Sequence, residues 1–323
     1  MASTQILPFA AGFATPIDEG QPSDRSPTPG LSVDRGHLCP AGAPIAVVVM
    51  AIDGDPRIAD AVASLQDQAG PAEIVVVNSG AGSVKPWLTA YLPLLVLVEG
   101  KQRRLPGGTR NLGIAYSTAP IVAFLAADCI ATPGWVEHRL AAHGHGALAV
   151  ASALRPAPEG GKVTASAWAS EALLHARRTP EYPAAGTARY GASYARMVFE
   201  RHGRFREDLR VGEDTEFNER IAVEAQPAWA PQVVTMHRYP PTMRAALGDA
   251  AQRGRNLFIW NRGRSRHPLL ISLRRVVGNL QMTRRLHRHA DAPLSKELRR
   301  AAPRIALLAL AYGGGILMAC SGR

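Results

Sequence analysis

At 323 residues, with 46% apolar and 20% charged side chains, the chain has the composition of a globular protein and not of a disordered or fibrous one. Its three cysteines, Cys39, Cys129 and Cys320, are far apart and form no CxxC pair. That argues against a disulfide framework or a zinc knuckle and for a reducing, cytosol-facing location. The net charge of +11 resides in one segment, since Arg253 to Arg304 holds 14 Arg and Lys against two acids, Asp291 and Glu297. Such a segment suits anionic lipid, nucleic acid or phosphorylated substrates, with a merely solvated basic face as the plain alternative.

Residues 1–43 include PIDEGQPSDRSPTPG, show no periodicity, and are expected to form a disordered leader. The opening MASTQILPFAAGFATP lacks the charged region and long apolar core of a secretory signal. From Pro44 the pattern changes. IAVVVMA (45–51) is a short apolar run of the kind buried on both faces of a sheet. PRIADAVASLQDQ (56–68) places Ile58, Val62 and Leu65 at helical spacing. EIVVVNSG (73–80) and YLPLLVLVEG (91–100) predict two more strands, GGTRNLGIAYS (107–117) a helix entered through glycines, and APIVAFLAAD (119–128) a fourth strand. This alternation predicts an α/β fold with a mainly parallel sheet, which binds ligands beyond the carboxyl ends of its strands. The positions just after those strands are Asp53, Asn78, Ser79 and Asp128.

Beyond Trp135 the local signal is weaker. A helix over ASAWASEALLHAR, a helix opened by Glu213 and Asp214 in VGEDTEFNERIAVEA, and a strand PQVVTMHRY ending near His237 are expected. Acids at a helix start are favoured by the helix dipole whatever their function. Basic amphipathic helices over 241–262 and 267–289 follow, then the apolar tail RIALLALAYGGGILMACSGR. Three consecutive glycines weaken that tail as a helix. Three readings stay open for it: a segment lying in the membrane interface, a span, or a helix packed on the protein's own basic helices.

The order of these blocks carries more than any one of them. RNLGI, FLAADC and PGW are followed by RMVFERHGRF, then GEDTEF and VVTMHRYP. Over roughly residues 44–262 this series resembles the family 2 glycosyltransferases of the GT-A fold. The resemblance implies a Rossmann-like domain with a mainly parallel central sheet, here followed by a basic helical extension over 263–323. It implies an inverting transferase that moves a sugar from a nucleotide-diphosphate donor to an acceptor hydroxyl in glycan, glycolipid or polysaccharide synthesis. In that family a DxD-type site holds Mg²⁺ or Mn²⁺, which neutralises the departing diphosphate. Asp128 falls on the metal-side aspartate, and Ala126 stands where the first acid is usual.

By the same resemblance Asp214 is the general base, with Glu213 as its electrostatic neighbour. Ala51, Asp53, Asn78, Arg110, Asn111 and Asp128 fall at the nucleotide, and His237 beside the metal. Each has a plainer reading: a turn residue at Asp128, a helix start at Glu213–Asp214, a helix N-terminus at Arg110–Asn111, a structural histidine at His237. Gly54, Asn78 and Ser83 replace acids common in related enzymes, so a non-catalytic nucleotide-sugar-binding or scaffolding member of the fold is the alternative. Expected partners are a nucleotide-sugar donor, a glycan or lipid-linked acceptor and an anionic membrane surface on its cytoplasmic face. Nucleic acid is not expected, because no recognition module accompanies the arginines.

Overall fold

A computed structural model of the chain describes residues 30–66, 68, 70–186 and 191–322. The strands are β1 (Leu31–Arg35), β2 (Ile45–Ile52), β3 (Ala72–Ser79), β4 (Leu95–Gly100), β5 (Ile121–Ala126), β6 (Cys129–Ala131), β7 (Ala149–Pro156), β8 (Gly191–Ala195) and β9 (Ala228–His237). They form one sheet in the order β1-β4-β3-β2-β5-β8-β7-β9-β6. The half built from β4, β3, β2 and β5 is parallel, as expected. The other half is mixed: β8 runs antiparallel between β5 and β7, β9 parallel to β7, and β6 antiparallel to β9.

The helices are α1 (Ile58–Gln66), α2 (Lys85–Leu88), α3 (Pro106–Tyr116), α4 (Trp135–Gly144), α5 (Ala165–His175), α6 (Arg196–His202), α7 (Glu213–Ile221), α8 (Met243–Arg262), α9 (Pro268–His289) and α10 (Ala292–Cys320). The parallel strands read as continuous apolar runs because both of their faces are covered. Val47, Val49, Ile74 and Val76 pack with Ile58 and Val62 of α1, whereas Val48, Val75 and Val77 pack on the opposite face with Ile114 of α3. Each such side chain contributes roughly 1.5–3 kcal/mol of transfer free energy. Helix α3 lies close because of Gly113, where a Cβ would sit 2.1 Å from a Val48 methyl.

Two expected boundaries move. The leader was expected to run to residue 43; residues 1–29 lie outside the described residues, but β1 pairs antiparallel with the edge of β4. In LSVDR the alternate residues Leu31 and Val33 pack against the core while Ser32 and Asp34 face out. A five-residue edge strand carries too little pattern to separate from its polar surroundings. The helical extension also begins before 263. Ala246, Ala250 and Phe258 of α8 share one core with Leu286 of α9, with Leu298, Ile305, Tyr312 and Ile316 of α10, and with Ala169 and Leu173 of α5.

The glycines of the tail lie inside α10 and one of them explains the packing. At Gly315 a Cβ would lie 1.9 Å from the Ala251 carbonyl oxygen, and at Gly254 it would lie 2.0 Å from that of Tyr312. Helices α8 and α10 therefore cross backbone to backbone, and the buried side of α10 faces α8 and α5. Among the described residues α10 alone is long and apolar enough to cross a membrane, and a third of its most apolar window is buried in the protein.

Candidate active site

The parallel register aligns Ile52 with Ser79 and Met50 with Ala126, so the turns after β2, β3 and β5 leave the sheet at one edge. Asp53 follows β2 with φ +56°, a left-handed conformation uncommon for a residue with a side chain. Its Oδ1 accepts from the Ala81 N–H at 2.9 Å and its Oδ2 lies 3.7 Å from Arg103. Gly80 opposite it takes φ +104°, a conformation that favours glycine, and a Cβ there would sit 2.2 Å from that Oδ1. Asp53 stays partly exposed; Ala51 is buried beneath it. Asn78 is buried: its Oδ1 accepts from Gly54 N–H at 3.2 Å, and its Nδ2 donates to the Gly82 carbonyl and to Glu99. It ties the two turns together instead of presenting its amide to a base.

Asp128 follows β5 and precedes β6. The β6–β9 ladder aligns Cys129 with His237, and this brings the His237 Nε2 to 3.7 Å from the Asp128 Oδ2. The PGW sequence holds the ladder in place. Gly134 takes φ +79° to start α4, and the buried Trp135 donates its indole N–H to Thr235 Oγ1 at 2.8 Å, two residues before His237. Arg139 stacks on that indole at 3.9 Å, and burial pushes its pKa down to about 9.

Asp128, Cys129 and His237 place one ligand atom each within 4.8 Å of one another. Burial drives the Cys129 thiol far up, so it stays protonated and donates to Asp128 Oδ1 at 3.6 Å. The usable donors are then a carboxylate oxygen and an imidazole nitrogen. Burial also lowers the His237 pKa, against the opposing field of Asp128, which keeps the imidazole neutral and its lone pair available. The His237 Nδ1 is buried without a hydrogen-bond partner among the described residues. This donor set fits a divalent cation, with mixed oxygen and nitrogen ligation favouring Mn²⁺ over Mg²⁺.

The RN element has a structural job. Arg110 is ion-paired with Glu213, both largely buried, and its guanidinium carbon lies 5.3 Å from the Phe205 ring and 5.7 Å from that of Phe124. Asn111, expected near the nucleotide, is buried and clasps the loop before α7: its Nδ2 donates to the Phe205 carbonyl and to Glu207, and its Oδ1 accepts from Phe205 N–H. Gly107 lets that loop approach, since a Cβ there would meet the Arg206 carbonyl at 2.1 Å. The RMVFERHGRF block supplies Phe199 and Phe205, which pack with Phe124, Tyr194 and Phe217 in one aromatic cluster under α7.

At the start of α7 Glu213 is thus neutralised by Arg110, while Asp214 keeps a partly buried carboxylate. Its Oδ1 accepts from its neighbour Thr215 N–H at 2.7 Å, and its carbonyl accepts from Asn218. Gly212, with φ +81°, opens the helix against the Trp260 ring of α8, only 3.0 Å from where a Cβ would be. The helical layer therefore abuts the turn at Gly212 that opens α7, two residues before Asp214.

Sequence reasoning missed two groups. Glu99, at the end of β4, accepts from Asn78, Ser83 and Val84 and so anchors the second turn. Glu171 of α5 is fully buried and accepts from the Tyr239 hydroxyl at 2.5 Å; burial pushes its pKa up to about 7. The Tyr239 ring meets His237 edge-on at 4.5 Å, with His175 behind both. Only an acid inside the otherwise apolar run ASAWASEALLH hints at this from the sequence.

Residues 46–203 match the family model described as Glycosyl transferase family 2. No curated protein matches the sequence. Among solved structures, the mannosyltransferase PcManGT from Pyrobaculum calidifontis, in complex with GDP-Man and Mn²⁺, superposes with a TM-score of 0.54 at 14% identity, covering 90% of this chain and 91% of that one. TarS 1–349 from S. aureus, in complex with UDP-GlcNAc, gives a TM-score of 0.47 at 15% identity over 86% of this chain and 92% of that one. The first likeness establishes a common fold; the second is too distant to add to it.

Proposed function

Through residues 46–203 this chain belongs to the family 2 glycosyltransferases and has the GT-A fold, and from that premise we propose that it transfers a sugar from a nucleotide-diphosphate donor to an acceptor hydroxyl with inversion. The observation that carries the reading is the Asp128–His237 pair at the carboxyl edge of the parallel strands. Asp128 and His237 would hold a divalent cation, Mn²⁺ by their chemistry, which when bound neutralises the diphosphate leaving group. Asp214 would accept the acceptor hydroxyl's proton, a role that contributes about 10²–10⁴-fold. Arg110 serves that role indirectly, by neutralising Glu213 and leaving Asp214 as the carboxylate still available at the helix start.

A membrane-bound acceptor, lipid or glycan, is supported by α10, whose outer residues Leu307, Leu310, Leu317 and Met318 are exposed beside an arginine-rich α9. We place the protein on the cytoplasmic face, lying on the membrane and not spanning it, because the other side of α10 is committed to α8 and α5.

The test is transfer from a panel of nucleotide sugars to lipid acceptors, with and without Mn²⁺. GDP-mannose heads the panel, because PcManGT was solved with that donor and Mn²⁺. Asp214→Asn should bind donor normally and lose about 10²–10⁴-fold in turnover; undiminished turnover would remove the mechanism. A non-catalytic nucleotide-sugar binder is the second reading, favoured by Ala126 and by the engaged amide of Asn78. It predicts donor binding with no transfer to any acceptor.

A further inference from the structure

Helices α9 and α10 enclose a groove of about 630 Å³ away from the strand-edge site, lined by Leu280, Leu298 and Ile305 and by the alanines 302 and 306. Four basic residues border it: Arg284, His287 and Arg288 from α9 and Arg299 from α10. No acid lines it. Arg284 and Arg288 are exposed and have no ion-pair partner among the described residues, while Arg299 donates only to Ser295 at 2.9 Å. The His287 Nδ1 is buried and has no hydrogen-bond partner there either. Neighbouring charges are otherwise engaged: Glu297 pairs with Arg300, Asp291 caps α10, and Arg285 lies over the Tyr182 ring.

We propose that this groove is a binding site for an anionic phospholipid of the membrane surface, with the phosphate on the basic rim and an acyl chain along the floor. Like charges gathered without an acid call for an anion. The floor is aliphatic apart from Thr283, whose hydroxyl donates to the Ala172 carbonyl, and it holds no Phe, Tyr or Trp ring on which a base could stack, which favours an anion that carries a hydrocarbon chain. Positions 302, 306, 310 and 317 keep one helical face, so the exposed Leu310 and Leu317 continue the side of α10 that lines the groove. The chain thus has an apolar path from rim to bilayer. This inference rests on the membrane-surface placement proposed above and is independent of the transfer chemistry.

The experiment is co-sedimentation of the full chain with phosphatidylcholine vesicles, with and without phosphatidylglycerol, at fixed ionic strength. A cation at an anionic leaflet contributes roughly fivefold in partitioning. The variant Arg284→Gln/Arg288→Gln/Arg299→Gln should lose well over tenfold in affinity for the anionic vesicles. The equal-charge control Arg262→Gln/Arg266→Gln/Arg274→Gln, from the end of α8 to the first half of α9, should lose much less. Ala302→Phe, at an exposed position, fills the groove without changing charge and should also weaken binding. Equal losses in both triple variants, unaltered binding by Ala302→Phe, or no preference of the native protein for phosphatidylglycerol would overturn the proposal. Displacement by free glycerol phosphate would overturn the lipid source in favour of a soluble phosphate. Donor-induced thermal shifts, read on the same samples, report the transferase reading separately: their absence counts against that reading and leaves the vesicle result standing.

Discussion

The Arg110 guanidinium is ion-paired with Glu213 and lies over the adjoining Phe205 and Phe124 rings, 5.3 and 5.7 Å from their centres. One side chain thus fastens α3, the aromatic cluster and the first residue of α7 together. Arg110→Met leaves the Glu213 carboxylate buried and uncompensated, and should cost about 3–5 kcal/mol in urea unfolding. Adding Glu213→Gln should recover much of that loss, because it removes the stranded charge. A double variant no more stable than Arg110→Met would show that the pair is not the clamp.

Glu171 gives a pH dependence of definite sign. Its carboxyl ionises near 4.5 when solvated and is pushed up to about 7 in the fold, chiefly by burial. Between those values the unfolded chain has released a proton that the native state still holds. Stability therefore falls as pH rises from about 4.5 to about 7, by on the order of 3 kcal/mol from this group. Unfolding free energies of Glu171→Gln should vary less with pH across that window than those of the native chain. A slope unchanged by the substitution would assign the pH dependence elsewhere.

The four glycines at the α8–α10 crossing and in the tail should part company under alanine substitution. Gly315→Ala and Gly254→Ala drive a methyl into a carbonyl at 1.9 and 2.0 Å, and backbone at a helix crossing cannot yield. Each should lose about 1–3 kcal/mol or more. Gly313 and Gly314 have open space where a Cβ would be, so Ala there should gain up to about 1 kcal/mol from helix propensity. Thermal melts of the four variants decide it.

The parallel half of the sheet could be read from the sequence because each of its strands is buried on both faces and shows as an unbroken apolar run. The mixed half could not, since β6 and β8 are short and their partners are remote. The same limit divides the site. Asp128 and Glu213–Asp214 stand out locally, at a strand end and a helix start. That Asp128 meets His237 is a consequence of the β6–β9 register, which no local spacing encodes. Arg110 and Asn111 were readable as a motif but not in their contacts: their partners Glu213, Phe205 and Glu207 are about a hundred residues away. Glu171 shows only as an acid in a run of small and apolar residues, its partner Tyr239 being 68 residues on, and Glu99 anchors turn residues 15 to 21 positions upstream that no local pattern links to it.

Ala126 marks where this chain departs from the paired carboxylates that the family resemblance implies. It ends β5 in register with Met50, partly exposed, while Ala127 donates its N–H to the Met50 carbonyl and turns the chain toward Asp128. An acid at 126 would enter on the side of β2 and the Asp53 turn, whereas Asp128 faces His237. The substitution Ala126→Asp should therefore tighten nucleotide binding or shift donor preference and leave the metal requirement as it is. Thermal shifts with GDP- and UDP-sugars, titrated against Mn²⁺ in both proteins, separate the two effects. Gained donor affinity at an unchanged Mn²⁺ midpoint supports Asp128 and His237 as the cation's protein ligands. A Mn²⁺ response present only in the Ala126→Asp variant would show instead that the Asp128–His237 pair does not by itself hold the ion.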